Sequence, residues 1–572
     1  MNSSDFSQTS CYQDQFFVYQ VNNPQDSPEA DAVLVSETIL CVCRNYPEGA
    51  ILCFLSGWDE IIVVHDMLSN KIQDKSNFLV LALHSMLPMF NQQAVFERPP
   101  MGVRKIVLAT NIAETSITID DIVYVINAGN EKEKMYDAER KVSCLMTHWT
   151  SQASVVQRRG RAGRCKPGLC FNLFTREQFE HMAPYQSAEM QRVSLEEIVL
   201  QTKIQCSDPC RVQEFLSKAL DPPSPFAVHS AISQLQEIGA LDDKEGLTAI
   251  GKHMAFLPVE PRIAKMIIYG AIFRCLDPVL TIAAGLSYKD PFVSPLKWRE
   301  QADQSRKHFA GDSRSDHVTV LNAYNGWTEA MSRSQGKEFV QQRFLHWGTL
   351  NMIRGMRDQF SRLLEDSGLV PSTNSGGAVN NFSGNMELVK AILCAGLFPN
   401  AVKVGLGLES KGRGGKKRVR VAFRTKSDGR VALHPSSVNS DEKQFISQWL
   451  VYHDKVKSTQ VFIRDSSMVH PVALICFSGK DVREMHHGPT PSAPQPFVTL
   501  AVDGDRWMAF HCSPRLARVL QAIRGEINKM IACSISAASR NNTLFHYHSK
   551  LIETINLLLT LPVQQPLPTT PW

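Results

Sequence analysis

The sequence predicts a multidomain protein of mixed class, in which a parallel α/β sheet domain precedes a helical region and a small β-barrel. Three observations predict this order. Short runs that are apolar on both faces alternate with helix-length segments up to about residue 175; helical periodicity dominates from about 195 to 365; short strands broken by turns follow. The 572 residues exceed what one hydrophobic core accommodates, so three to five domains are expected.

Composition is that of an ordinary globular protein, with 43% hydrophobic and 20% charged residues. The formal charge of +5 permits a nucleic-acid partner without arguing for one. We find no apolar run of signal-peptide or membrane-span length, and therefore expect no membrane partner and a cytoplasmic or nuclear location. The 14 cysteines show no paired zinc-ribbon spacing, so no metal site is expected.

The sheet domain is predicted from runs of strand length that lack the alternation of a half-exposed strand. Continuous apolarity indicates strands covered by helices on both faces, and ligands bind such sheets at the carboxyl ends of the strands. The loops after these strands are therefore where we expect chemistry. The predicted strands are 50–55, 78–83, 104–109 and 122–126.

Helical spacing of apolar residues then predicts helices at 194–201, 227–241 and 264–276. Residues 366–385 are rich in Ser, Gly and Asn and are predicted to form a flexible linker. An amphipathic helix at 514–531 is interpreted as a docking face, and the Pro-rich tail 561–572 as disordered. Five strands predict the barrel, at 402–404, 419–423, 431–433, 461–463 and 473–477.

Residues 157–164 read Gln-Arg-Arg-Gly-Arg-Ala-Gly-Arg, with four arginines separated by small residues. Arginine offers a permanent charge and a planar fork that suits phosphate oxygens, and it can stabilise charge on a transferring phosphoryl group. The alternative is a basic helix end that contacts only water or RNA phosphate. Residue types alone leave both interpretations open.

A second segment, 109–120, follows a predicted buried strand and reads Ala-Thr-Asn-Ile-Ala-Glu-Thr-Ser-Ile-Thr-Ile-Asp. Its hydroxyl and amide side chains suit phosphate and ribose contacts. The alternative is a loop that caps the next helix, with Thr115 or Ser116 as N-cap.

In this order and spacing, the two segments resemble motifs V and VI of the DEAH-box RNA helicases. Residues 51–61 are similar to motif IV, and 83–88 with 95–99 to the segment before motif V. The resemblance covers about residues 30–540 and extends to the RNA helicase A-like branch, including its G-quadruplex-resolving member. Further similar segments are 257–262, 275–284, 289–292, 315–317, 425–429, 434–439 and 464–465.

The resemblance implies an uncertain N-terminal segment at 1–29 and a second RecA-like helicase domain at 30–190. It implies a winged helix at 191–260, a helical ratchet-like bundle at 261–365 and the linker at 366–385. An OB-fold at 386–505 and a C-terminal helical extension with the disordered tail at 506–572 complete the expected order.

Residue roles follow from the same resemblance. Gln157 would orient the attacking water, and Arg161 and Arg164 would be the fingers on the terminal phosphates. Phe96 would stack on adenine, with Thr118 and Asp120 near the ribose. Ser56, Gly57, Asn111 and Ser116 would contact the RNA backbone, and 129–148 would form a strand-separating β-hairpin.

Other interpretations of these residues stay open. Without the resemblance, Phe96 would be taken as a core aromatic, and Asp120 as a plain helix start. Arg158 and Arg159 stand at less informative positions and are left outside the active set.

The sequence contains no Gly-x-x-x-x-Gly-Lys-Ser/Thr segment and no Asp-Glu-x-His segment. ATP with Mg²⁺ needs these features of a first RecA-like domain, so this chain alone is predicted not to hydrolyse ATP. We therefore interpret it as the C-terminal part of an ATP-dependent 3′–5′ RNA helicase that unwinds duplex or quadruplex structure. The alternative is a non-catalytic RNA-binding or regulatory fragment.

Nine positive residues between 403 and 426 face a single acidic one, Glu409. Such density attracts phosphate, and Lys416, Lys417 and Arg418 are predicted to bind RNA. The alternative is a solvated strand connection. Expected partners are single-stranded RNA or a G-quadruplex, and the glycine-patch proteins that activate related helicases.

Overall fold

The computed structural model falls into two units, which we describe separately. The first comprises residues 1–135, 144–192 and 293–297, and the second residues 136–143, 193–292 and 298–572. Parts of the N-terminal segment, the linker (372–377) and the tail (564–572) lie outside the described residues. The structure describes residues 12–16, 31–72, 75–84, 94–114, 118–205, 211–295, 298–371, 378–409, 418–458, 460–487, 496–538 and 549–563.

A six-stranded sheet forms the centre of the first unit, in the order β1-β8-β5-β2-β4-β3. All its pairings are parallel, which confirms the predicted sheet and its four strands. Strands β6 and β7 pair as a hairpin over most of the predicted segment 129–148, and residues 136–143 of this hairpin are counted with the second unit. The strands are β1 Tyr12–Phe16, β2 Ala50–Phe54, β3 Phe78–Leu83, β4 Arg104–Ala109, β5 Ile122–Asn127, β6 Asn130–Asp137, β7 Val142–Trp149 and β8 Gly168–Asn172.

Two separate apolar clusters explain why the central strands lack polar alternation. Ile51 and Cys53 of β2 pack into one cluster, and Leu52 and Phe54 into the other. Both faces of β2 are therefore buried, as parallel sheets require. The helices of this unit are α1 Ala32–Asn45, α2 Trp58–Lys71, α3 Gln152–Arg159, α4 Arg176–His181 and α5 Glu189–Arg192.

From residue 193 onwards the second unit is first helical, and the three helices predicted there are confirmed. The helix predicted to reach 276 ends instead at Ile272, and Pro278 lies in the first turn of a new helix, where proline is tolerated. The helices are α6 Glu196–Gln205, α7 Val212–Leu216, α8 Pro225–Glu237, α9 Ala249–Ala255, α10 Pro261–Ile272, α11 Leu276–Ser287, α12 Arg299–Ala310, α13 Asp316–Ser332, α14 Gly336–Gln342, α15 Trp347–Asp366 and α16 Met386–Leu397.

A closed five-stranded barrel follows, because pairings join the strands in the circular order β9-β10-β11-β13-β12 and back to β9. The predicted barrel is confirmed with one wrong strand. The strands are β9 Ala401–Glu409, β10 Arg418–Thr425, β11 Gly429–Leu433, β12 Trp449–Lys457 and β13 Val461–Met468.

The segment predicted as the fifth strand is helix α17, Pro471–Phe477, capped by the side chain of His470. A short run buried on every side does not reveal its own period, so helix and strand look alike in sequence. The strand that prediction missed, β12, carries buried Lys455, paired with Asp428 at 2.6 Å, which hides its strand pattern.

After the barrel and α17 come a small antiparallel sheet and two helices. The predicted amphipathic stripe of the first helix is largely buried within the unit, at Leu520, Ile527 and Met530. No helix of the described residues has the length and apolarity to cross a membrane. These elements are β14 Val482–His487, β15 Phe497–Val502, β16 Ala509–Cys512, α18 Pro514–Ala538 and α19 Ser549–Leu559.

Candidate functional site

The predicted site loops follow neighbouring strands of the parallel sheet. Leu55 N donates to Ala109 O at 2.8 Å, and Ala128 N donates to Phe54 O at 3.3 Å. The loops after β2, β4 and β5 are therefore fixed side by side at the carboxyl edge, where such sheets bind ligands.

The loop after β4 begins with a 3₁₀ turn, Asn111–Ala113, closed by Glu114 N donating to Asn111 O at 2.9 Å. The side chain of Asn111 is exposed, whereas Glu114 is buried. Residues 115–117 lie outside the described residues, and with them Ser116 and the proposed N-caps. Beyond them, Thr118 and Asp120 are exposed. Asn111, Thr118 and Asp120 are thus accessible to a ligand.

The arginine segment starts on α3, whose N-cap Ser151 accepts from Ser154 N at 3.1 Å. Gln157 and Arg164 are exposed, and Arg161 is partly buried. The Arg161 guanidinium donates to the main-chain carbonyl of Glu114. The structure therefore joins the two predicted segments, 109–120 and 157–164.

Partial burial lowers the pKa of Arg161 from its ordinary value, and the positive charge of Arg164 acts in the same direction. An arginine retains its charge near neutral pH even so. Two adjacent guanidinium groups held in this way repel each other, and an anion between them would relieve that repulsion.

Asp120 precedes strand β5, so the alternative that it starts a helix is wrong. Cys165 Sγ lies 3.8 Å from Asp120 Oδ1, which places the end of the arginine segment beside the predicted ribose contact. Asp120 and the arginine segment therefore belong to one site.

Phe96 ends a 3₁₀ turn, Ala94–Phe96, and its side chain is 49% exposed. The alternative that Phe96 is a core aromatic is therefore wrong. Lys105, inside β4, explains how an exposed ring is held. Its ammonium donates to Val95 O at 2.8 Å and to Glu97 O at 3.0 Å, on either side of Phe96.

The same ammonium lies 2.8 Å from Asp121 Oδ1. Lys105 thus connects the Phe96 loop with the turn that carries Asp120. This lysine was not predicted to belong to the site, because two of its three acceptors are main-chain carbonyls, which no residue type signals.

Arg158, left outside the predicted active set, donates four hydrogen bonds inside the site. It is 1% exposed, and its Nε and Nη2 donate to Glu114 and Glu131, each at 3.0 Å. Its Nη1 donates to Asn127 Oδ1 at 3.3 Å and Asn130 O at 3.0 Å. The arginine spacing gave no sign that this arginine points inward.

Ser56 and Gly57, predicted to contact RNA, are both buried. Ser56 N donates to the Glu60 carboxylate at 2.9 Å, at the start of α2. A Cβ on Gly57 would approach Lys132 Cδ to 2.9 Å, so glycine permits close packing of that side chain. The Lys132 side chain therefore lies directly against Gly57.

Among the predicted barrel contacts, Lys416 and Lys417 lie outside the described residues, and Arg418 begins β10. Two other members of the basic stretch are engaged within the fold. Lys403 Nζ lies 5.5 Å from the centre of the Trp449 ring, and Lys426 pairs with Asp505 at 2.7 Å. The charge available to a ligand is therefore smaller than the residue count suggests.

Four family models match the chain, in the order in which its elements follow one another. Residues 33–166 match the helicase conserved C-terminal domain, which contains the site described above. Residues 231–259 match the winged-helix and 260–320 the ratchet-like helicase associated domain (HA2), and 389–482 match an oligonucleotide/oligosaccharide-binding (OB) fold.

Similar proteins include the DExH-box ATP-dependent RNA helicase DExH1 of Arabidopsis thaliana, 44% identical over 90% of this chain and 50% of that protein. The ATP-dependent DNA/RNA helicase DHX36 of Bos taurus is 43% identical over 88% of this chain and 49% of the relative. The ATP-dependent RNA helicase DHX30 of Homo sapiens is 40% identical over 93% and 45%. The chain spans about half the length of these relatives.

Proposed function

The chain belongs to the DEAH/DExH-box helicase family, and on this premise we propose that it supplies the arginine fingers and RNA-binding surfaces of an ATP-dependent 3′–5′ RNA helicase. The observation that carries the proposal is the bond from Arg161 to the Glu114 carbonyl. It joins a finger segment to the loop that presents Asn111, so one rigid edge can face both phosphate and RNA.

In this proposal, Arg161 and Arg164 stabilise negative charge on the terminal phosphates, and Gln157 orients the attacking water. Phe96 stacks on the base, with Asp120 and Thr118 at the ribose. The exposure of these side chains supports the assignment. Among the described residues, no group of three or more His, Cys, Asp or Glu side chains is placed to hold a metal, so we assign no residue here to magnesium.

We further propose that this chain alone does not hydrolyse ATP. Fingers accelerate transfer only when another surface holds the phosphates and the metal, and the sequence contains neither a P-loop nor an Asp-Glu-x-His segment. The test is RNA-stimulated phosphate release by the purified chain. We expect the same rate as for an Arg161→Ala/Arg164→Ala variant, and turnover above that background contradicts the proposal.

The RNA we propose is a single strand held mainly through its backbone, by Asn111 and the barrel residues around Arg418. Quadruplex unwinding and activation by glycine-patch proteins are further parts of the proposal, supported by the family resemblance alone. Binding is measured by fluorescence anisotropy with an oligouridine, a duplex and a G-quadruplex. Weaker binding of the oligouridine than of both structured RNAs contradicts the single-strand assignment.

A non-catalytic RNA-binding protein is the second candidate, favoured by the missing P-loop segment. The two candidate functions predict different effects of tripolyphosphate on the arginine segment. For helicase fingers, tripolyphosphate should protect the amides of residues 157–164 from hydrogen exchange. For a purely RNA-binding protein, only RNA should protect that segment.

A further inference from the structure

We propose that Arg158 is a positioning residue that couples the arginine-finger segment to the base of the β6–β7 hairpin, through Glu114 on one side and Glu131 on the other. The coupling rests on the proposed function, since it matters to catalysis only if Arg161 senses a nucleotide phosphate.

The geometry leaves this guanidinium little freedom. All three of its nitrogens donate, to two carboxylates, one amide oxygen and one main-chain carbonyl. Its plane also lies against Phe54, with Cζ 5.3 Å from the ring centre. Phe54 ends β2, Asn127 ends β5, and Glu131 is the second residue of β6, so one side chain fixes three elements.

Glu114 is held at both ends by the arginine segment. Its carboxylate accepts from Arg158, and its main-chain carbonyl accepts from Arg161. If Arg161 turns towards a phosphate, the carbonyl loses its donor and Glu114 can shift. Because Glu114 and Glu131 share one cation, a shift of the first carboxylate changes how the second is held.

Burial raises the pKa of Glu131, and the Arg158 charge opposes that rise. The Arg158 charge therefore favours the ionised form of Glu131, against the effect of burial. A lysine could not replace this function, because a single ammonium lacks the planar fork that reaches both carboxylates.

The hairpin offers a matched control two residues further on. Glu133 also has a partly buried carboxylate on β6, but it accepts from Arg192 at 2.5 Å and lies 3.0 Å from His148 Nε2. Glu133→Gln therefore weakens the same strand through contacts that do not include Arg158.

The test is a double-mutant cycle on the purified chain, read by hydrogen exchange of residues 130–137 and 142–149. Arg161→Ala removes the Glu114 carbonyl donor without any ligand, and Glu131→Gln removes the charge while keeping an oxygen that can accept. We expect each single change to speed hydrogen exchange of the hairpin several-fold, and the double variant to exchange no faster than the single variants. When Arg161→Ala is combined with Glu133→Gln instead, the two increases in exchange rate should multiply. Multiplicative effects in both pairs, or no hairpin effect of Arg161→Ala, overturn the coupling.

A second measurement, with tripolyphosphate added, distinguishes failure of the coupling from failure of the proposed nucleotide role. If the cycle is non-additive but tripolyphosphate does not protect residues 157–164, the coupling stands and the proposed nucleotide role fails. Arg158→Lys gives a second check should Glu131→Gln fold poorly. It keeps the charge, and we expect hairpin exchange to become insensitive to Arg161→Ala; retained sensitivity contradicts the need for a fork.

Discussion

Lys105 and Asp121 form an ion pair of 2.8 Å between Nζ and Oδ1, with the lysine side chain fully buried. The same ammonium holds the carbonyls on both sides of Phe96. One cation therefore fixes the exposed aromatic loop and the turn of Asp120, two parts of the nucleotide site proposed above.

Replacing Lys105 with Met should destabilise the first unit strongly. The change removes the lysine partner of the Asp121 carboxylate, and water can compensate for that loss only in part because the Asp121 side chain is only 20% exposed. Removing one partner of a buried pair costs about 3 kcal/mol. The measurement is the free energy of unfolding in urea, followed by tryptophan fluorescence.

Lys71→Met is the matched control, because Lys71 pairs with Glu37 at 2.7 Å on the surface of the same unit. A surface pair contributes less than about 1 kcal/mol. Equal losses in the two variants would show that Lys105 does not hold its site through the buried charge.

Sequence alone predicted the parallel sheet because burial on both faces of β2 leaves a continuous apolar run. It left residues 157–164 open between phosphate chemistry and a basic helix end, and the finger roles of Arg161 and Arg164 came from the family resemblance. It did not predict Arg158 as the centre of the site, since its carboxylate partners stand 44 and 27 residues away. Nothing local distinguishes Arg158 from Arg161.

The barrel shows the complementary failure. Segment 473–477 is apolar throughout and was predicted to be a strand, yet it packs as a buried helix. Strand β12 carries Lys455, whose charge is neutralised by Asp428 on another part of the barrel. Only the closed structure brings that partner near, so the strand pattern could not be recognised locally.

In a longer protein that contains a P-loop domain, Arg161→Ala should lower RNA-stimulated ATP turnover by about 10³-fold or more. RNA affinity should be nearly retained, because Arg161 contacts the Glu114 carbonyl rather than the exposed Asn111 side chain. Phosphate release and fluorescence anisotropy measure the two quantities. Arg176→Ala, on exposed helix α4, serves as control, and equal loss of turnover and affinity contradicts the finger assignment.

Replacing Lys416, Lys417 and Arg418 together with Gln should weaken RNA binding and its salt dependence. Each phosphate contact to a single strand contributes about 0.7 to the slope of log K against log salt, so the slope should fall by about 2. The measurement is an anisotropy titration with an oligouridine over a salt series.

Lys426→Gln provides the control for that triple variant, because its ammonium already pairs with Asp505 at 2.7 Å. We expect its salt slope to equal that of the parent chain. A slope unchanged in the triple variant would remove residues 416–418 from the RNA-binding surface.

Because of His317, we expect the second unit to lose stability in acid. The ring is 2% exposed, and Nδ1 lies 2.6 Å from Ser467 Oγ. Burial lowers the pKa of His317 to about 3, and the charge of His453 acts in the same direction. The unfolded chain takes up this proton near the ordinary pKa of 6.5, whereas the folded chain takes it up only near 3. Between those two pH values, the free energy of unfolding therefore decreases as the pH is lowered, by about 1.4 kcal/mol per pH unit for one proton.

His317→Asn removes the titration, so its unfolding free energy should fall less steeply between pH 6.5 and pH 4 than that of the parent chain. Ser467→Ala separates burial from hydrogen bonding, because it removes the partner oxygen and keeps the histidine. We expect Ser467→Ala to lower stability at every pH while retaining the parent slope. Urea unfolding at a series of pH values measures both variants. If His317→Asn runs parallel to the parent chain, another group carries the acid sensitivity; if Ser467→Ala flattens the slope, the hydrogen bond rather than burial is responsible.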